Sequence, residues 1–253
     1  MSVTSGTKSE NGFAETLRVI IHAVLIAFVI RTFLFQPFNI PSGSMKPTLL
    51  VGDYLFVSKY TYGYTHYSIP FSPSLFSGRV FGSEPARGDI VVFRPPSDTS
   101  TDFIKRVIGL PGDRIQMKEG QLYINDAPVK RERMADFIGE DPCGSLGAGG
   151  PVKRWRETLP NNVSYETLDC KDNAFYDNTV EYQVPAGHFF MMGDNRDNSD
   201  DSRVQSVVGY VPFENIIGRA QLIFFSIGEG EHLWMFWRWP VAIRWNRFFA
   251  TVR

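Results

Sequence analysis

Phe103-Ile-Lys-Arg-Val-Ile-Gly-Leu-Pro-Gly-Asp113 carries aromatic and β-branched residues at Phe103, Ile104, Val107 and Ile108, and stops at a segment rich in glycine and proline. That combination reads as a short strand running into a turn. With a strand period of two, Lys105 shares a face with Phe103 and Val107, so its ammonium stands among apolar neighbours. A lysine inside a strand ordinarily marks an exposed edge, and the segment alone reads that way.

Working outward, similar short runs occur at Asp53 to Lys59, Asp89 to Arg94, Arg114 to Met117, Gln121 to Asn125, Val180 to Val184, His188 to Met192 and Ile217 to Ser226. Turn residues separate them, with Gly120 in a hairpin turn and Asn125-Asp126 in the next. Between residues 40 and 228 no comparable helical periodicity and no internal repeat is found, so a mostly β domain is expected. The stretch Arg131 to Asn178, with Gly144-Ser-Leu-Gly-Ala-Gly-Gly-Pro151 and few apolar runs, reads as an insertion or cap.

The ends of the chain are apolar in different ways. Leu17 to Phe35 is nearly all apolar and just long enough to span a bilayer, which takes roughly 20 residues, if Arg18 and Arg31 reach opposite interfaces. A cleaved secretory signal would continue into small residues, whereas Arg31-Thr-Phe-Leu-Phe-Gln-Pro37 is bulky, so a retained anchor is expected over a signal or a buried soluble helix. Lys8 and Arg18 on one side balance Arg31 and Lys46 on the other, so charge does not orient the span. Leu233 to Phe249 holds four of the five tryptophans, interleaved with Arg238, Arg244 and Arg247 and broken by Pro240, as suits an interfacial segment. The expected divisions are a tail at 1–16 (disordered near residues 1 to 12), an anchor at 17–36, core at 37–125 and 185–228, a cap at 126–184 and the interfacial segment at 229–253. A net charge of −1 without a long basic block argues against nucleic acid as the main partner. Cys143 and Cys170 can pair if the domain is exported, for very roughly 3 kcal/mol; in the cytosol they would more often be free thiols.

Ser44 lies in Ile40-Pro-Ser-Gly-Ser-Met-Lys-Pro-Thr-Leu49, just past the anchor. Pro41 and Pro47 stiffen the backbone, Gly43 permits close approach, and Ile40, Met45 and Leu49 supply apolar walls. A serine needs an activating base to act as a nucleophile. His22, His66, His188 and His232 carry no local triad signature. Lys105 would serve if burial lowered its pKa from about 10.4 by a few units. Met191-Met-Gly-Asp-Asn-Arg-Asp-Asn-Ser-Asp-Asp-Ser-Arg203 invites a calcium-loop reading, but Ser202 and Val208 stand where such a loop needs glycine and glutamate, so in isolation it is a turn-rich loop held by Arg pairs. No metal or cofactor is expected.

Pro41 to Leu49, Gly52 to Lys59, Arg87 to Phe93, Phe103 to Asp113 and Gly193 to Arg203, in this order behind an apolar N-terminal segment, resemble the boxes of bacterial type I signal peptidases. The resemblance implies a β-rich serine/lysine peptidase, single-pass in the bacterial inner membrane with its catalytic domain on the outer, periplasmic face. Its partners would be preprotein signal peptides, cleaved after an Ala-x-Ala pattern, and inner-membrane lipid, with a monomer expected. By position, Ser44 is then the nucleophile and Lys105 the general base, the Ser44 N–H and the Ser42 hydroxyl form the oxyanion hole, and Ser199 orients the lysine. Arg106, Asp194, Asp201 and Arg203 brace the site, and Phe38, Ile40, Pro41, Met45, Leu49, Phe103 and Ile104 line the substrate pockets. Lys46 departs by placing a charge beside Met45, which bears on substrate fit. One alternative is an inactive membrane-anchored binding or assembly protein of the same fold, which would be expected to lose Ser44, Lys105 or Ser199. Another is a soluble self-cleaving regulator, which would lack the anchor.

Overall fold

The computed structural model describes residues 9–139, 142–144, 150–231 and 235–253. Helix α1 (Ser9–Val29) continues through a π-helical turn, Ile30–Leu34, and presents apolar side chains outward along most of its length. It begins before the expected anchor and ends two residues earlier. The chain turns extended at Phe35 because Gln36 precedes Pro37, and a residue before proline is driven out of the helical region. The helix end is tied to the domain: the Lys59 N–H donates to the Leu34 carbonyl at 3.0 Å and the Tyr64 hydroxyl to the Phe33 carbonyl at 2.9 Å.

The expected mostly β class holds. A seven-stranded antiparallel sheet contains β1 (Phe35–Asn39), β2 (Asp53–Ser58), β3 (Ile90–Phe93), β4 (Phe103–Gly109), β12 (His188–Met192), β13 (Val211–Pro212) and β14 (Ile216–Ser226). Their order is β1-β2-β14-β3-β4-β12-β13. Strand β3 is buried on both faces. Ile90 and Val92 join Ile40, Met45, Leu49, Leu55 and Val57 in one core, while Val91 and Phe93 join Val107, Phe189 and Met191 in the other. That two-sided burial explains the continuous apolar run Ile90-Val-Val-Phe93.

The chain leaves this sheet at Gly109 and returns at His188. In between, β5 (Arg114–Lys118), β6 (Gln121–Ile124), β7 (Ala127–Pro128) and β11 (Tyr182–Gln183) form one small sheet, and β8 (Lys130–Arg133), β9 (Lys153–Thr158) and β10 (Ser164–Asp169) another. The excursion therefore starts before residue 126, and β5 and β6 belong with it rather than with the main sheet. Strands β8 to β10 escape the sequence pattern because most of their charged side chains face outward or pair across the sheet, as Arg154 does with Glu166. Cys143 and Cys170 are joined in a disulfide beside Val152 and Leu168. Residues 1–8 of the tail expected to be disordered to about residue 12, the glycine-rich segment 145–149 and His232 through Trp234 lie outside the described residues, while residues 9–12 of that tail are helical.

The C-terminal segment packs differently from the expectation of an interfacial strip. Arg244 and Arg247 turn inward: Arg247 meets Asp53 at 2.6 Å and the Thr48 carbonyl at 3.0 Å, and Arg244 donates to the Val51 carbonyl at 3.0 Å. Asp53 is fully buried, so guanidinium partners are what make its charge tolerable. Phe236, Trp237, Trp245 and Phe249 remain exposed on the other side.

Candidate active site

Ser44 sits on a single 3-10 turn, Gly43–Met45, between the ends of β1 and β2. Met45 and Leu49 anchor that turn by sinking completely into the core. Lys105, near the middle of β4, places its Nζ 2.5 Å from Ser44 Oγ, and both residues are buried. The apolar neighbour expected from strand parity is present, with Nζ 5.6 Å from the centre of the Phe103 ring. Burial drives the Lys105 pKa down from 10.5 to about 8 against the opposing fields of Asp201, Asp200 and Asp194, because a charged amine loses its hydration there. Lys59 is lowered to about 8 as well, by burial and Arg31, but its ammonium is held by the Ser68 carbonyl at 2.6 Å. A perturbed lysine becomes a candidate base only beside a nucleophile.

Two buried ion pairs stand behind the lysine. Arg106 grips Asp194 with two bonds of 2.8 and 2.7 Å, and Thr48 donates to the same carboxylate at 2.5 Å. Arg203 grips Asp201 at 2.9 and 2.8 Å, and Asp201 also accepts the Gly193 N–H at 3.0 Å. Burial opposes ionisation of Asp201, but the Arg203 guanidinium outweighs it and holds the carboxyl below its ordinary range. Gly193 is dictated by space: a Cβ there would fall 2.2 Å from Ser199 Oγ and 2.6 Å from the Ser44 carbonyl oxygen.

A cleft of about 460 Å³ opens over the pair, with Pro41, Ser42, Phe103, Ile104 and Ser199 on its walls. Ser42 Oγ lies 3.4 Å from Ser44 Oγ. Ser199 Oγ is buried and, among the described residues, has no hydrogen-bond partner, so it makes no bond to Lys105 in this state. The expected lining is corrected in part. Ile40, Met45 and Leu49 are enclosed in the core and support the cleft from below, because the turn that displays Ser44 outward must send its flanking apolar residues inward, and Phe38 packs against that same core instead of the cleft wall. Thr101, Asp102, Tyr176, Asp197, Asn198 and Asp200 line it instead. The three histidines among the described residues are engaged elsewhere: Nδ1 of His22 contacts the Arg18 carbonyl, Nδ1 of His188 the Ala186 carbonyl, and the His66 ring packs on Tyr67. No cluster able to hold a metal occurs among the described residues.

With this geometry in view, the profile of the family described as "Signal peptidase, peptidase S26" matches residues 13–225, most of the chain. The chain belongs to that signal peptidase family. Among proteins named Signal peptidase I, that of Rickettsia typhi is 46% identical over 87% of this chain and 83% of its own length. That of Rickettsia canadensis is 41% identical over 100% of this chain and 98% of its own. A crystal structure of a signal peptidase I from Enterococcus faecalis is 28% identical, covers 54% of this chain and 97% of its own, and superposes with a TM-score of 0.31.

Several supports of the peptidase site were not singled out from sequence. Asn195 donates its main-chain N–H to the Ser44 carbonyl at 3.1 Å and its side-chain amide to the carbonyls of Gly43 at 3.0 Å and Pro142 at 2.5 Å, clamping the Ser44 turn to the segment next to Cys143. Arg196 forms a buried pair with Glu157 of the cap at 3.0 and 2.5 Å, and Tyr165 donates to the same glutamate at 2.9 Å. A glutamate in a charged run such as Lys153 to Thr158 gives no sign of burial, so no local signal points to it.

Proposed function

We propose that this family member is a membrane-anchored serine endopeptidase that removes signal peptides from exported preproteins after an Ala-x-Ala pattern, with Ser44 as nucleophile and Lys105 as base. The observation that carries the reading is the 2.5 Å contact between Ser44 Oγ and a buried Lys105 Nζ whose pKa is brought near 8. Neutral Lys105 takes the hydroxyl proton as Ser44 Oγ bonds to the scissile carbonyl carbon. The resulting oxyanion is met by the Ser44 N–H, which in the first turn of its helix has no intrahelical acceptor, and by the Ser42 hydroxyl. Collapse breaks the C–N bond, and protonated Lys105 returns its proton to the leaving amine, the new N-terminus of the mature protein. Water then attacks the Ser44 ester with Lys105 again as base, releasing the signal peptide acid. Once Ser44 is acylated, Lys105 turns to the unpartnered hydroxyl of Ser199, which lines the same cleft.

Pro41, Phe103 and Ile104 on the cleft wall suit an extended segment with small side chains. The apolar helix Gly12–Leu34, 23 residues long and exposed along nearly all of its length, is the anchor, with the catalytic domain on the outer face of the inner membrane. Ser44→Ala and Lys105→Ala each abolish processing of a preprotein whose signal ends in Ala-x-Ala, while circular dichroism stays unchanged. Full processing by either purified variant sinks the assignment.

A further inference from the structure

The loop from Ile69 to Ser83 inverts the usual partition of a water-facing segment. Its one charged side chain is turned inward: Arg79 donates to the carbonyls of Tyr62, Gly63 and Phe213 at 3.2, 2.9 and 2.6 Å, and Arg94 holds the Ser72 hydroxyl at 2.9 Å. The loop is also stitched at its base, where Tyr64 and Val80 exchange N–H to carbonyl bonds of 2.9 and 2.8 Å. What it presents outward is three large apolar side chains among small serines, with Phe71, Leu75 and Phe81 exposed by 102%, 73% and 85%. Residues 69–78 include no charge.

Between this loop and the last turns of the N-terminal helix runs an apolar groove of about 580 Å³, walled by Phe28 and Phe33 on the helix and by Leu75, Phe76, Val80 and Phe81 on the loop. At a rise of 1.5 Å per residue, Phe28 to Leu34 covers about 9 Å of axis, so the groove lies at the level where the spanning segment ends. The helix side of the groove belongs to a surface that needs lipid, and the loop side continues that surface without a charge. A groove of this kind has nothing to offer water.

We propose that the loop is a second membrane foot: Phe71, Leu75 and Phe81 enter the leaflet that receives the end of the helix, and a lipid acyl chain occupies the groove. The inference rests on the anchor reading above. Aromatic and aliphatic side chains placed this way settle about 5–10 Å into the headgroup and acyl boundary. One helix alone leaves the domain free to rotate and tilt about its axis; a second contact fixes both, and with them the height of the Ser44 cleft above the membrane.

The test uses the full chain in vesicles of phosphatidylethanolamine and phosphatidylglycerol containing a doxyl-labelled phosphatidylcholine. An environment-sensitive fluorophore is placed in turn at Ser74→Cys in the loop, Val24→Cys in the helix and Lys130→Cys on the cap. Quenching at Ser74 approaching that at Val24 and severalfold above that at Lys130 is the expected result. Quenching at Val24 with Ser74 no different from Lys130 overturns the foot and leaves the anchor standing. Absence of quenching at all three positions overturns both readings. A benzophenone at Ser74→Cys that crosslinks a synthetic signal peptide, with no lipid quenching at that site, assigns the groove to substrate and overturns the proposal.

Discussion

On the proposed mechanism, raising the pH from 7 to 9 titrates the general base, Lys105. The free-enzyme kcat/KM follows the fraction of Lys105 that is neutral, because an ammonium cannot take the Ser44 proton. With the pKa at about 8, that fraction is about one-tenth at pH 7 and about nine-tenths at pH 9. The expected gain is therefore about tenfold, levelling above pH 9. A lysine left at 10.5 would be neutral in only about three molecules in ten thousand at pH 7, so burial enlarges the working population by about 300-fold, or about 3 kcal/mol. The direction can be checked through Asp200, a surface residue whose negative charge raises the Lys105 pKa. Asp200→Asn removes a field that favours the ammonium, so the acid limb moves to lower pH and activity at pH 7 rises. The assay is cleavage of a short soluble Ala-x-Ala peptide by the detergent-solubilised enzyme, which keeps lipid charge out of the profile. A limb centred near pH 6.5, as a histidine would give, a flat profile, or a shift to higher pH in Asp200→Asn each refutes the reasoning.

Glu157→Gln leaves Arg196 as a buried charge without its carboxylate and should cost about 3–5 kcal/mol by urea denaturation, whereas a paired replacement of both residues by apolar ones recovers most of that loss. Gly193→Ala should lower kcat by orders of magnitude by pushing the Ser44 turn and Ser199 apart; wild-type turnover would show that the close approach does not matter. Replacing both Cys143 and Cys170 by serine opens a loop with a sequence separation of 27 and should cost about 3.5 kcal/mol on the chain-entropy estimate. Identical alkylation of the native protein with and without reductant would show instead that the thiols are free.

Strands with an apolar face on the main core could be read locally, which is why β2, β3, β4, β12 and β14 match their sequence expectations within a residue or two. Strand β1 was hidden because Phe35-Gln-Pro-Phe-Asn39 adjoins the apolar run and contains a proline; it is admitted only as the edge strand pairing with β2. Strand β9 was hidden for another reason. Lys153-Arg-Trp-Arg-Glu-Thr158 is stabilised by partners distant in sequence, among them Arg131, whose guanidinium lies 4.0 Å from the Trp155 ring. The site divides in the same way. Ser44 and Lys105 stand in distinctive local settings, but Asn195 and Glu157 act through contacts that no neighbouring residue announces.

From sequence alone came the residue types, the apolar helix, the strand parity that places Lys105 beside Phe103, and the order of the boxes. These depend on periodicity and covalent spacing, which are local. Tertiary structure decided that Lys105 is a buried partner of Ser44 rather than an edge charge, since 60 intervening residues must fold before the two meet. It also decided that Met45 and Leu49 are enclosed in the core beneath the cleft, and that Arg244 and Arg247 hold the loop between the Ser44 turn and β2. Burial and desolvation arise from what the rest of the chain packs around a side chain, and they set both the lysine's proton affinity and the fate of every charge near it.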